Sequence, residues 1–177
     1  MTQLISFLQI SISLIFFTNK TFVLIDKKTG WLIGAIGAVM GTLYFSLLHL
    51  YCFAVLDAGL VILMSYGFIA KAQKNQKVEN VLHLVILLAM LSLGYFAFSG
   101  VMTVVQFFSS ALLLMGTYLL THQKTSWGWI LYAISHVLAA IVGYKVGQMF
   151  FADFQIASTI ISIVGLVKSA KTMGSLK

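Results

Sequence analysis

The chain has 177 residues, of which 60% are apolar and only 8% are charged, and its mean hydropathy is +1.02. A soluble domain carries about 25% charged residues, so four acids and eleven basic residues are too few to cover a soluble surface. The single cysteine excludes a disulfide-stapled secreted scaffold, and the apolar content excludes a disordered chain. The composition predicts an all-α polytopic membrane protein.

The net charge of +7 does not indicate a nucleic-acid-binding protein. Every basic residue is a lysine, and the lysines separate apolar runs. Nucleic-acid sites rely on arginine forks and aromatic platforms in water. We therefore place the lysines in loops and expect no nucleic-acid partner.

The first apolar run covers residues 4–17 and is closed by Thr18, Asn19 and Lys20. It is short for a membrane span, which needs about 20 residues. No basic residue precedes it and no small-residue cleavage site follows it, so it does not resemble a signal peptide. We interpret it as a retained, tilted first helix.

Two later apolar runs, 30–70 and 127–167, have 41 residues each. A single helix of that length would be about 60 Å long, twice the thickness of the hydrocarbon core. Each run is therefore predicted to form two helices, with the first turn near residues 49–51 and the second between Lys145 and Asp153. The segments between the runs are a polar loop at 71–79, helix four at 81–98, a turn at Ser99-Gly100, helix five at 101–120 and a loop at 122–126.

Seven helices place the two termini on opposite faces of the membrane. Ten lysines then lie on one face, against Lys145 alone on the other. Because basic loops stay in the cytoplasm, we expect the N-terminus outside, the C-terminus in the cytoplasm, and location in a bacterial inner membrane. Trp31, Trp127 and Trp129 would then lie near the inner interface.

The two long runs align with each other at a shift of 98 positions. Gly30-Trp31 then meets Gly128-Trp129, and Phe53-Ala54 meets Phe151-Ala152. The preceding helices align at a shift of 103, which predicts a longer first loop at 21–28. We predict two parallel three-helix repeats joined by a connecting helix. Their bounds are 1–70 for the first repeat, 71–100 for the loop and connecting helix, and 101–177 for the second repeat and tail.

Asp57 is the only acid deep inside a predicted span. A carboxylate near the bilayer centre costs on the order of 3 kcal/mol or more, so it should face a cavity or a partner. Asp57 is therefore a candidate pocket residue. A structural role, wetting from the outer face and protonation by burial are the alternatives.

Trp129, Tyr132 and His136 have the spacing i, i+3, i+7 and so share one face of helix six. Such a face offers stacking and hydrogen bonding to a planar heterocycle. In the alternative, Trp129 belongs to the interfacial belt and His136 bonds a neighbouring helix. Gln155 lies opposite Asp57 under the 98-residue shift, which adds it to the candidates.

Several chemistries have no signature in this sequence. Four scattered histidines and one cysteine have no metal-ligand spacing, there is no phosphate-binding glycine loop, and no catalytic triad can be recognised. We expect no enzyme activity, no metal and no cofactor.

Two groups of residues resemble the PnuC-type vitamin uptake transporters, whose best-known members carry nicotinamide riboside. The resemblance covers residues 31–68 and 129–165. In helix three the family pattern falls on Leu50-Tyr51, Asp57, Tyr66-Gly67 and Phe68, and in helix six on Trp129, Tyr132 and His136. The departures are Asp57 in place of Gln, His136 in place of Asn, and Met64 in place of another Asn.

The resemblance implies facilitated diffusion of an unphosphorylated vitamin or nucleoside, trapped by a cytoplasmic kinase. Nicotinamide riboside is the first candidate. The charge of Asp57 favours thiamine nearly as much, and riboflavin and deoxynucleosides stay open. A homo-oligomer is left open. The expected substrate-binding residues are Asp57, Tyr66, Trp129, Tyr132, His136 and Gln155.

Two alternatives remain. SWEET and PQ-loop carriers share the three-one-three layout, but they rely on helix prolines and this chain has none. A non-transporting membrane assembly protein would bury its polar residues between helices without a water-filled cavity.

Overall fold

The computed structural model describes residues 2–25, 29–69, 75–121 and 125–174, and in these ranges the chain forms seven α-helices and no strand. The predicted all-α class and helix number are confirmed. Six helices are long and apolar enough to cross a membrane, and α3 has a shorter apolar stretch, Tyr51–Tyr66. The helices are α1 (Thr2–Leu24), α2 (Thr29–Leu47), α3 (Tyr51–Ile69), α4 (Gln76–Phe96), α5 (Val101–Thr121), α6 (Thr125–Lys145) and α7 (Met149–Gly174).

The distribution of side chains is the reverse of that in a soluble protein. Large apolar residues such as Val81 and Leu88 on α4 are more than half exposed, whereas Ser110, Ser135 and Ser158 are fully buried. Soluble monomers rarely expose extensive apolar surface. Together with the six long apolar helices, this pattern identifies an integral membrane protein, as the composition predicts.

The first helix is longer than the sequence analysis predicts. It continues to Leu24 instead of ending at residue 17. The hydroxyls of Thr18 and Thr21 each donate to the carbonyl oxygen four residues earlier, and the Asn19 side chain donates to the carbonyl of Gly30 in α2 at 2.7 Å. These polar groups are satisfied within the bundle, so they do not end the helix. The predicted helix end is wrong, and residues 21–24 of the predicted first loop are helical; the last part of that loop, 26–28, lies outside the described residues.

Three other helices also extend into segments predicted as loop or tail. Helix α6 begins at Thr125, inside the loop predicted at 122–126, whose residues 122–124 lie outside the described part of the chain. Helix α4 begins at Gln76, after an N-cap by Asn75 whose side chain accepts from the backbone N–H of Lys77. Lys77 therefore belongs to the first turn of α4. Helix α7 continues to Gly174 and includes Lys168, which was predicted to lie beyond the last helix.

The turns between α2 and α3 and between α6 and α7 have the same backbone geometry. His49 and Gly147 both have a positive φ, 57° and 73°, and they are 98 positions apart. In each turn the residue after the one with positive φ donates its backbone N–H to a carbonyl oxygen five residues earlier. Leu50 donates to Phe45 O at 2.9 Å, and Gln148 donates to Gly143 O at 2.8 Å. The predicted turn near residues 49–51 is confirmed.

The chain divides into two compact units. In the first unit (Met1–Phe107), α2 packs between α1 and α3, and α4 packs on α3. Glycines allow the helices to pack closely. In α2, Gly37 contacts α1 and Gly34 contacts both α1 and α3; in α3, Gly59 contacts Ile86 of α4. Such small residues are typical of helix contacts in membranes.

The second unit (Phe108–Lys177) contains most of α5 together with α6 and α7. Gly116 of α5 and Gly128 of α6 face each other, and Gly143 of α6 packs against Phe151 and Ala152 of α7. Two reciprocal bonds join α5 to α6: the Ser109 hydroxyl donates to Ser135 O at 2.9 Å, and the Ser135 hydroxyl donates to Ser109 O at 2.8 Å. This unit carries most of the candidate functional residues.

Candidate functional site

Three rings form a continuous stripe along α6. The centroids of Trp129 and Tyr132 are 5.9 Å apart with planes at 88°, and those of Tyr132 and His136 are 5.8 Å apart at 67°. The side chains therefore share one helix face, as their spacing predicts. That this face binds a substrate stays a prediction.

Trp129 is buried against α7. It is 6% exposed, and its indole ring lies directly over Gly165, where any side chain would collide with it. Trp127, two residues earlier, is 65% exposed. Trp127 is thus the tryptophan of this helix that is free to lie in an interfacial belt, while Trp129 contributes a fixed aromatic surface to the interior.

The hydroxyl of Tyr132 points to α5. It lies 2.9 Å from the Thr117 hydroxyl, and Thr117 in turn donates to the carbonyl of Leu113 at 2.9 Å. A hydroxyl has one proton to donate, so the Tyr132 hydroxyl is the donor to Thr117. Its lone pairs remain as acceptors. The sequence gives no signal for Thr117, because a threonine in an apolar run ordinarily bonds only to its own helix.

His136 connects α6 to α7. It is 2% exposed, and its Nδ1 lies 2.7 Å from Oε1 of Gln155. A carbonyl oxygen only accepts, so Nδ1 carries the proton, and in the neutral ring Nε2 is the acceptor. This is the interhelical bond that the alternative interpretation of His136 predicts. The pair both joins two helices and places amide and imidazole atoms beside the aromatic stripe.

A second polar stripe on α7 faces the rings. Gln155, Ser158, Ser162 and Gly165 recur at helical spacing, and both serines are fully buried. Ser162 donates to Ser158 O at 2.9 Å, whereas the buried Ser158 hydroxyl has no hydrogen-bond partner. Ser158 is not among the residues predicted from the sequence, and its unsatisfied hydroxyl adds it to the candidate site.

Asp57 belongs to the first unit. It is 4% exposed, and its carboxylate fills the space left by the missing side chain of Gly41 in α2. Its Oδ2 atom is buried without a hydrogen-bond partner. Asp57 is therefore a buried residue, and that it lines a substrate pocket stays a prediction.

Tyr66 lies at the other end of α3. It is half-buried, and its hydroxyl accepts a hydrogen bond from the backbone N–H of Asn75 at 2.9 Å, beside the start of α4. Nine residues of helix separate it from Asp57, about 14 Å along the axis. Of the six predicted site residues, four lie together in the second unit. The other two, Asp57 and Tyr66, belong to the first unit and are separated from each other along α3.

The chain matches no protein-family model, no curated protein and no solved structure. The case for a function therefore depends on the chemistry of these residues.

Proposed function

We propose that the protein is a membrane transporter for uptake of a small, unphosphorylated vitamin or nucleoside, with nicotinamide riboside as the first candidate. The observation that carries the proposal is the buried stripe of Trp129, Tyr132 and His136, completed by Gln155, inside a chain whose outer surface is apolar. Polar and ionisable residues inside membrane spans are rare and mark substrate and ion pathways.

The atoms of the stripe suit a planar ring that carries hydroxyl groups. The indole and phenol rings offer stacking surface. The Tyr132 hydroxyl supplies acceptor lone pairs for sugar hydroxyls, and the amide of Gln155 supplies N–H donors. A ribosyl heterocycle presents these complementary groups.

The charges of the second unit disfavour a phosphorylated substrate. The chain has no arginine. Among the described residues of this unit, Lys145 is the last residue of α6, and Lys168 and Lys171 lie in the final turns of α7. A phosphate at the level of Tyr132 would have no guanidinium fork to neutralise it, which argues for the unphosphorylated form.

We also propose that α1–α3 and α5–α7 are parallel repeats joined by α4. The shared turn geometry at His49 and Gly147 supports this. The ends of α2 and α6 are 98 positions apart, and so are the starts of α3 and α7, so one shift of 98 relates the two helix pairs on either side of these turns. Lysine placement supports an inner-membrane protein with its C-terminus in the cytoplasm.

Binding to the purified protein tests the proposed substrate class. Nicotinamide riboside, thiamine, riboflavin and a deoxynucleoside would be compared with nicotinamide mononucleotide and a plain sugar by isothermal titration. We expect one unphosphorylated heterocycle to bind best, and His136→Ala to weaken that binding about tenfold or more, equivalent to about 1.4 kcal/mol. His83→Ala on α4 is the matched control. Preferential binding of the mononucleotide or the sugar would refute the proposal.

A non-transporting assembly protein is the second candidate. The interhelical bonds of His136 with Gln155 and of Ser109 with Ser135 are the observation that favours it, since they also satisfy polar groups in a dry bundle. Absence of binding by every compound, with the protein still folded, would favour this function.

A further inference from the structure

The strongest feature outside the proposed substrate stripe is the carboxyl group of Asp57. It lies on the face of α3 that packs against α2, and three contacts fix that face. They are Phe53 with Phe45, Asp57 with Gly41, and Met64 with Gly34. Asp57 is six residues beyond the start of α3, about 9 Å along the axis. The carboxyl group is therefore enclosed between two helices, well inside the span.

No cation faces this carboxyl from the described helices of its unit that pack around it. Helix α2 contributes one titratable side chain, the buried Tyr44, a turn beyond Gly41. In α1, Asn19 lies beside Gly34 of α2. Lys20 is the next residue, so it lies about 10 Å along the helix axis from the level of Gly41. The remaining titratable groups of α3 and α4 are Tyr51, Cys52, Tyr66, Lys77, Glu79, His83 and Tyr95.

The register of α4 against α3 keeps its charged residues away from Asp57. Gly59 receives Ile86, and Cys52 lies opposite Gly94. These contacts place an apolar residue, Leu88, at the level of Asp57. The charged groups of α4 lie near its N-terminal end, more than a turn farther along the helix.

We propose that Asp57 is a proton-binding site, and that the protein moves a proton together with its substrate. An unpaired carboxylate inside a span costs on the order of 3 kcal/mol or more, and the buried Oδ2 has no donor to offset that cost. Binding a proton removes the charge. The coupling part rests on the proposed transport function, and it departs from the passive carriage that the family resemblance implies.

The proton balance is simple. A proton from water on the outer side forms an O–H bond on the Asp57 carboxylate as that side opens. When the inner side opens, the O–H bond breaks, the proton passes to cytoplasmic water, and the carboxylate is restored. No electron moves, and the only co-reactants are water and the proton.

Infrared spectroscopy of the protein in lipid vesicles tests the proton site without any substrate. We expect a carbonyl band of a protonated carboxylic acid at neutral pH, present in the native protein and lost in Asp57→Asn. Asp153→Asn is the matched control, because Asp153 is exposed and accepts from the Tyr144 hydroxyl at 2.8 Å; it should keep the band. A native spectrum without the band, or a band that survives Asp57→Asn, would overturn the proposal.

Gly41→Ala provides a second variant if Asp57→Asn does not fold. The added methyl group would occupy the position of the Asp57 carboxyl oxygen. We expect the protonated band to shift or to disappear as the carboxyl group is displaced. An unchanged band would mean that the protonated group does not lie beside Gly41, which would also overturn the assignment of the proton site to Asp57.

Uptake into proteoliposomes tests the coupling. With radiolabelled nicotinamide riboside, a pH gradient of about one unit, acid outside, should drive about tenfold accumulation for one proton per substrate. This stimulation should be lost in Asp57→Asn and kept in Asp153→Asn. Native uptake that ignores the gradient would refute coupling. Absence of uptake by the native protein and by every variant would instead count against the proposed transport function. The infrared result would still decide whether Asp57 is the proton site.

Discussion

At the scale of single residues, the 2.7 Å contact between His136 and Gln155 joins α6 to α7 through two side chains. We expect His136→Ala and Gln155→Ala to be non-additive in the free energy of unfolding, with a coupling of about 0.6–1.7 kcal/mol. Unfolding in mixed micelles of the native protein, the two single variants and the double variant measures this coupling. Fully additive effects would show that the two side chains do not interact.

Gly165 and Trp129 make a second residue-scale prediction. The indole ring occupies the space where a side chain at position 165 would project. Gly165→Ala should therefore destabilise the protein by about 1–3 kcal/mol through overpacking, and should weaken substrate binding by displacing Trp129. In the control Gly94→Ala, the nearest atom would be Cys52 Sγ at 3.3 Å, which has to move by only a few tenths of an ångström, so a smaller loss of stability is expected. Equal melting temperatures for the two variants would contradict this packing.

At the scale of helices and turns, the two equivalent turns have different residues at the position with positive φ: His49 in one and Gly147 in the other. A left-handed conformation costs a non-glycine residue roughly 1–2 kcal/mol. We expect Gly147→Ala to lower stability by about 1 kcal/mol and His49→Gly to raise it slightly, since the exposed bond between His49 and Tyr51 offsets part of the gain. Thermal unfolding measures both. A neutral Gly147→Ala would argue against the shared turn.

The sequence predicts helices better than helix ends. Period and length suffice to find seven helices, because a long apolar run has few alternatives. The end of α1 was wrong because Thr18 and Asn19 form bonds, one to the helix's own backbone and one to α2, that no local pattern reveals.

The candidate site shows the same division between local and tertiary information. Helical spacing alone places Trp129 beside Tyr132. The partners Gly165 and Thr117 come from other helices. Because these contacts depend on how α5 and α7 pack against α6, residue spacing within α6 cannot predict them.

At the scale of the whole molecule, the lysine distribution predicts the orientation in the membrane. Lys145 and Lys168 lie toward opposite ends of the α6–α7 pair. In a Cys52→Ser background, Lys145→Cys should react with an impermeant maleimide added to intact cells, and Lys168→Cys only after permeabilisation. The opposite pattern would invert the topology, and labelling of both in intact cells would contradict the span assignment.

Transport itself is the central claim, and uptake by reconstituted protein tests it most directly. Proteoliposomes preloaded with unlabelled substrate would be given the radiolabelled compounds of the same panel, with empty liposomes as the control. We predict saturable exchange of an unphosphorylated heterocyclic vitamin or nucleoside, with nicotinamide riboside exchanging best and the mononucleotide not competing. No exchange of any compound by folded protein, or exchange of a plain sugar alone, would contradict the account.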